Sequence, residues 1–204
     1  MADTLEPGAQ PYAEAIIKNS RFVARLCRAD SESEAAELIR SARELERGAG
    51  HHCFAYVIGH DESRVERSSD DGEPGGTAGV PILNVLKARD LVNVAAVVSR
   101  HYGGVKLGAG GLVRAYGGTV ATAIDGAELK PRRRWEVLRL AADHADAGWI
   151  EAELRRRAFE VTDVEYGERA VITLIAVDTE PLIAAIDEIT SGRGEYTPAG
   201  HVWR

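Results

Sequence analysis

Leu91-Val92-Asn93-Val94-Ala95-Ala96-Val97-Val98-Ser99 runs directly into Arg100-His101-Tyr102-Gly103-Gly104-Val105-Lys106-Leu107-Gly108-Ala109-Gly110-Gly111-Leu112-Val113-Arg114-Ala115-Tyr116, and this stretch decides the fold class. Its first nine residues are mostly apolar and rich in valine, the pattern of a buried strand. His101 to Ala109 is a glycine loop. Gly110 to about Asp125 reads as a helix, with Leu112, Val113, Tyr116, Val120 and Ala123 available to pack. Strand, glycine loop and helix in succession make an α/β unit. Glycine N–H groups can crowd around an anion, and a helix N-terminus adds partial positive charge. The loop is neither a Walker A motif nor G-x-G-x-x-G, because no Lys-Ser/Thr follows its last glycine and the third glycine is missing. Spacing alone leaves two readings open: a phosphate cradle, or glycines kept for tight turns and close helix packing.

Upstream, residues 1–11 contain Pro7, Gly8 and Pro11 and read as a loose arm. Ser20 to Arg28 alternates as a strand. Ser31 opens a helix with Glu34 three residues on, a capping box, and Gly48 closes it. His51 to Gly59 is a second strand, His60-Asp61-Glu62-Ser63 a turn, and Arg64 to Arg67 the return of a hairpin. Ser68 to Gly76 is loop, and Thr77 is placed to cap a helix from Ala78 to about Ala88.

Downstream, Gly126 to Arg134 breaks the pattern, so the junction between two domains is expected near residues 127–133. Trp135 to Ala141 is a strand and Asp143 caps a helix to Ala158. Glu160 to Tyr166 and Arg169 to Val177 are strands. Thr179 to about Thr190 is a helix and Gly194 to Trp203 a closing strand. The order βαββαβ in about 70 residues is a ferredoxin-like signature. The chain is therefore expected to be α+β, with domains at 12–128 and 134–204.

The second polar signal is Asp70-Asp71-Gly72-Glu73-Pro74, leading to Thr77. Three carboxylates in four positions suit a hard cation, or a helix cap paired with nearby bases. Zinc is not expected. His52 and Cys53 are adjacent on a strand and point to opposite faces, and no second ligand pair has the right spacing. Nothing marks Cys53 as an activated nucleophile. No metal and no cofactor is assigned.

Across 204 residues, 45% are hydrophobic and 28% charged, which excludes a fibrous or disordered chain. No apolar run reaches the roughly 20 residues of a membrane span. With no secretory signal at the start and Cys27 and Cys53 as the sole thiols, a reducing, cytoplasmic setting is expected. The net charge of −7 argues against a generally basic nucleic-acid coat. Yet Leu91 to Ile124 holds no acid while carrying Arg100, Lys106 and Arg114. Such a positive window can steer a phosphate-bearing partner; by itself it reads more simply as a buried strand and helix that avoid acids.

These motifs resemble the YigZ/IMPACT family. The resemblance is carried by Asp70-Asp71-Gly72-Glu73-Pro74, Gly76-Thr77-Ala78-Gly79, and Gly103-Gly104 with Lys106 through Tyr116. His51 with Cys53-Phe54-Ala55-Tyr56 is similar to the family's strand motif. His52, Gly75 and Val105 stand where asparagine, serine and threonine are expected. The resemblance implies an N-terminal domain similar to domain IV of elongation factor G, a fold shared with GHMP small-molecule kinases. It implies a C-terminal domain similar to that factor's ferredoxin-like domain V.

Function expected from the resemblance is non-enzymatic and translation-associated, with the ribosome, a structured RNA or a protein of the translation machinery as partner and no membrane. The expected site comprises Arg100, His101, Tyr102, Gly103, Gly104, Lys106, Gly108, Gly110, Gly111 and Arg114, with Asp70, Asp71, Glu73 and Thr77 in support. Lys106 lies inside the loop with no helix face to cover. Arg114, about one turn into the helix, is open to pairing with Asp70, Asp71 or Glu73. Two alternatives stand beside this reading. One is a GHMP-like phosphotransferase using the glycine loop and magnesium on the acidic loop. The other is a protein-interaction regulator that binds no nucleic acid, which the negative net charge favours.

Overall fold

The computed structural model describes residues 2–59 and 63–204, so three of the four residues expected to form the 60–63 turn lie outside it. The chain divides into two compact units, Met1–Pro131 and Arg132–Arg204.

The first unit is built on a five-stranded antiparallel sheet in the order β2-β3-β6-β4-β5. Its strands are β2 (Tyr12–Ile17), β3 (Ser20–Arg28), β4 (His51–Ile58), β5 (Val65–Ser69) and β6 (Val94–His101). Lys18 and Asn19 both have positive φ, which is what a two-residue hairpin of type I′ requires between β2 and β3. Helices α2 (Gly79–Ala88) and α3 (Ala109–Asp125) bury their apolar stripes with Phe22, Leu26, Cys53, Val57 and Val98. Helix α1 (Glu32–Leu45) serves a separate cluster on the other side, where Ala35 joins Ala29, Tyr56 and Ala95. Ser31 caps α1 as its sequence predicts, accepting from Glu34 N; the helix closes at Glu46, ahead of Gly48.

Residues 2–11 are not a loose arm. Asp3–Leu5 is strand β1, paired antiparallel with β7 (Leu129–Pro131), and Leu5 is wholly buried in the larger core. One further expectation is corrected. Ser68 and Ser69 belong to β5, not to a loop. The stretch after Gly126 contains β7, which completes the first unit before the division at Arg132.

The second unit follows the βαββαβ order: β8 (Arg134–Ala142), α4 (His144–Arg156), β9 (Glu160–Tyr166), β10 (Ala170–Ala176), α5 (Thr179–Thr190) and β11 (Glu195–Trp203). The sheet is antiparallel in the order β11-β8-β10-β9. Leu140, Leu154, Ile172, Leu174, Leu182 and Ile186 form its own core. Asp178 caps α5 by accepting from Glu180 N, whereas Asp143 makes no side-chain cap on α4. Pro198 sits on β11, an edge strand, where a missing N–H costs no ladder bond on the solvent side. Among the described residues, no helix is long and apolar enough to cross a membrane.

Candidate functional site

Strand β6 sorts the expected site residues by parity. Val94, Ala96 and Val98 point into the α2/α3 core, and the two-residue period carries Arg100 onto the same face. Arg100 is 6% exposed and cannot act as a surface cation. Its Nη1 donates to Glu73 Oε1 at 2.6 Å, and its Nη2 to Ser20 Oγ at 3.4 Å. Glu73, itself 8% exposed, accepts a second bond on the same oxygen from Tyr116 OH at 2.7 Å. The acidic loop, the end of β6 and the middle of α3 therefore meet inside the fold, through a buried Arg100–Glu73–Tyr116 cluster. Burial raises the Tyr116 phenol above its usual range, so it stays a donor.

The other two acids are also engaged. Asp70 accepts from the backbone N–H of Gly76 (2.8 Å), Ala78 (2.9 Å) and Gly79 (2.8 Å). Burial works against its ionised form, but these donors outweigh that and hold its pKa below the usual carboxylate range. The cap of α2 is thus Asp70, not Thr77, whose hydroxyl donates instead to Pro74 O at 2.6 Å. Asp71 accepts from Arg43 and from His52 N, at 2.8 and 2.7 Å. Against the opposing effect of burial, those contacts hold its pKa low as well. The three carboxylates face different donors and do not converge. Among the described residues, no group of three His, Cys, Asp or Glu side chains is arranged to hold a metal.

His101, one residue beyond Arg100, takes the opposite parity and faces away from that cluster. Its Nε2 lies 2.9 Å from Glu46 Oε2, beside Arg21 at 3.2 Å. Glu46 is buried, which opposes its charge. Bonds from His101, Arg25 and Arg21 overcome this and keep it ionised below the usual range.

The glycine loop itself is exposed from Gly104 to Lys106 and again from Gly108 to Gly110. Its glycines divide between the two readings left open by spacing. A Cβ on Gly103 would fall 2.0 Å from Asn19 C, and one on Gly111 3.0 Å from Leu107 Cβ, so these two serve close packing. Gly104 and Gly108 have φ of +82° and +75°, with open space around them. Gly108 is the N-cap of α3 and offers no side chain; the first turn carries no acid. The N–H groups of that turn have no intrahelical partner. Lys106 and Arg114 are exposed beside it, and neither makes an ion pair among the described residues. The pairing of Arg114 with Asp70, Asp71 or Glu73 that the sequence leaves open does not occur, because other donors hold all three acids.

Comparison with known proteins bears on this geometry. The Impact N-terminal domain profile matches residues 18–124. The Bacillus subtilis IMPACT family member YvyE is 39% identical over 184 residues, spanning 89% of this chain and 84% of its own. The chain belongs to the IMPACT family. The IMPACT family member of Haemophilus influenzae is 34% identical over 198 residues, 95% of either chain. The one from Escherichia coli, YigZ, is 44% identical over 125 residues, 61% of each. A domain of unknown function, DUF1949, matches residues 140–193. A crystal structure of a hypothetical protein shares the fold over 98% of both chains, with a TM-score of 0.73 and 31% identity.

In this IMPACT family chain the buried polar cluster was the feature least visible beforehand, although β6 parity already points Arg100 inward and so demands a carboxylate partner. The cysteines are likewise structural. Burial pushes the Cys53 thiol up to about 12 and Cys27 to about 11, and Cys53 Sγ donates to Asp70 O at 3.0 Å. A thiol reagent at neutral pH is expected to label Cys53 at the rate of global unfolding, and both cysteines at once in denaturant. Rapid labelling of Cys53 in the native protein would show that the α2/α3 core opens locally.

Proposed function

We propose that this protein acts in translation without chemistry of its own, by binding RNA or the ribosome through the glycine loop and the start of α3. The observation that carries the reading is the first turn of α3. It is capped by no side chain, opposed by no acid, and flanked by Lys106 and Arg114. Free N–H groups at a helix start, open glycines and two cations form an arrangement suited to phosphate. The family resemblance supports a translation setting, since it implies domains similar to domains IV and V of elongation factor G. The 4-1-3-2 strand order of the second unit supports the ferredoxin-like half of that likeness. The free cysteines fit a cytoplasmic protein. The phosphotransferase alternative is disfavoured because Asp70, Asp71 and Glu73 are each committed to protein donors.

The test is co-sedimentation with ribosomes across a salt series. Lys106→Ala is expected to weaken binding and lower the slope of log affinity against log salt by about one unit, with Tm unchanged. Loss of binding with no change in slope would mean that Lys106 touches protein and not phosphate. Full retention of both would remove the loop from the interface.

A further inference from the structure

Tyr102 is the exposed end of a stack that begins in the core. The Arg100 guanidinium lies between two rings, 5.4 Å from the centroid of Phe22 and 5.3 Å from that of Tyr102. Phe22 in turn meets Tyr116 edge-on at 5.2 Å, and Tyr116 donates to the same Glu73 oxygen that holds Arg100. Phe22, Arg100, Glu73 and Tyr116 are buried, while Tyr102 is 56% exposed. The Nε of Arg100 is buried and has no hydrogen-bond partner among the described residues.

The backbone on either side of Tyr102 is fixed. His101 pairs with Arg21 in the sheet. Gly103 N donates to Ser20 Oγ at 3.2 Å, and Gly103 packs so closely on Asn19 that no side chain fits. An exposed aromatic ring held this way loses little conformational freedom when something lands on it.

The charge beneath the ring selects what lands. Arg100 occupies the inner π face, and its positive charge draws down the negative potential that the outer face would otherwise present. A second cation, such as a lysine or arginine of a protein partner, is therefore disfavoured there. A neutral, polarisable flat ring is not. Tyr102 also belongs to the loop that carries Lys106 and opens α3 at Gly108. A ring and a phosphate subsite on one short loop match the two ends of a nucleotide.

Resting on the reading that the loop binds RNA, we infer that Tyr102 is a stacking platform for one unpaired base, whose backbone phosphate lies toward Lys106 and the start of α3. Bases inside a duplex already have both faces covered, so the ligand is a single strand, a bulge or a loop. Tyr102 here gives base contact without sequence readout, and the cations give charge.

Fluorescence anisotropy of the full chain tests this with two probes: a labelled oligouridylate, and the same strand annealed to oligoadenylate. The single strand is expected to bind more tightly. Tyr102→Ala should weaken single-strand binding about tenfold and leave duplex binding unchanged, while Tyr102→Phe keeps both. Tyr102→Leu, which covers Arg100 without a π face, should behave like Ala and decides the matter if the Ala variant melts early. Equal single-strand binding by wild type and Tyr102→Leu, with Lys106→Ala still impaired, would overturn the platform and leave the phosphate site standing. Failure of wild type to bind either probe or the ribosome would overturn the RNA reading, and the platform with it.

Discussion

Glu73→Ala should destabilise the first unit by about 3–5 kcal/mol, the largest loss expected from one polar side chain in this protein. The substitution leaves the Arg100 guanidinium buried with Ser20 Oγ and two aromatic faces but no carboxylate, and it takes the carboxylate acceptor from the Tyr116 hydroxyl. A buried charge stripped of its partner costs far more than an exposed ion pair contributes, because water cannot replace what was lost. The exposed Arg40–Glu37 pair on α1 is the natural comparison, and Glu37→Ala should stay within about 1 kcal/mol of wild type. Glu73→Gln should fall between, since its amide oxygen still accepts one bond without balancing the charge. Thermal unfolding followed by far-UV circular dichroism measures this. Trp135, Trp149 and Trp203 all lie in the second unit, so tryptophan emission reports that unit alone. A loss below about 1 kcal/mol for Glu73→Ala would mean that water reaches the cluster and that it is not a closed buried pair.

Much of the architecture was legible because long, periodic segments announce themselves. Leu91 to Tyr116 reads as strand, loop and helix and folds so, with β6 and α3 displaced by two residues or fewer at their inner ends. In the second unit, α5 begins and ends at the residues its pattern predicts. What escaped falls into two physical kinds. Cap chemistry does not follow proximity: Thr77 lies just before α2, but a chain that turns at Asp71, Gly72 and Gly76 brings Asp70 back onto the helix start. Short sequence spacing does not outrank a carboxylate returned by three residues of positive φ. Likewise, Arg100 and Arg114 both look like cations in an acid-free window. Their fates diverge because β6 parity sends one inward and the α3 surface leaves the other in solvent. Of the expected site, Tyr102, Gly104, Lys106, Gly108, Gly110 and Arg114 stand together at the loop and helix start. Arg100 and Glu73 lie beneath them as support, and His101 faces the other side of the sheet.

Leu5→Ala should cost about 2–5 kcal/mol, the range for truncating a fully buried leucine. A leucine in a loose arm would cost within about 0.5 kcal/mol, so the two readings of residues 1–11 differ by more than any common assay error. Three residues are too few to show alternation, and Pro7 and Gly8 immediately afterwards look like the end of structure, not its beginning. Nothing local reveals that the partner of β1 is β7, at the far end of the unit. The strand also grips the turn that leads into β6: Asp3 N donates to Asp90 O at 3.0 Å, and Asp3 O accepts from Val92 N at 2.9 Å. Thr4 Oγ1 donates to Asn93 O at 3.4 Å. Loosening β1 therefore loosens the entry to the strand that ends at Arg100 and Tyr102. Amide hydrogen exchange in Leu5→Ala should show lost protection first at residues 91–93 and then along β6, with α4 and α5 unaffected. Leu45→Ala, at a leucine 61% exposed near the end of α1, is the control and should leave both stability and exchange as in wild type. If the two variants behave alike, β1 does not hold the core and the N-terminal residues are an arm after all.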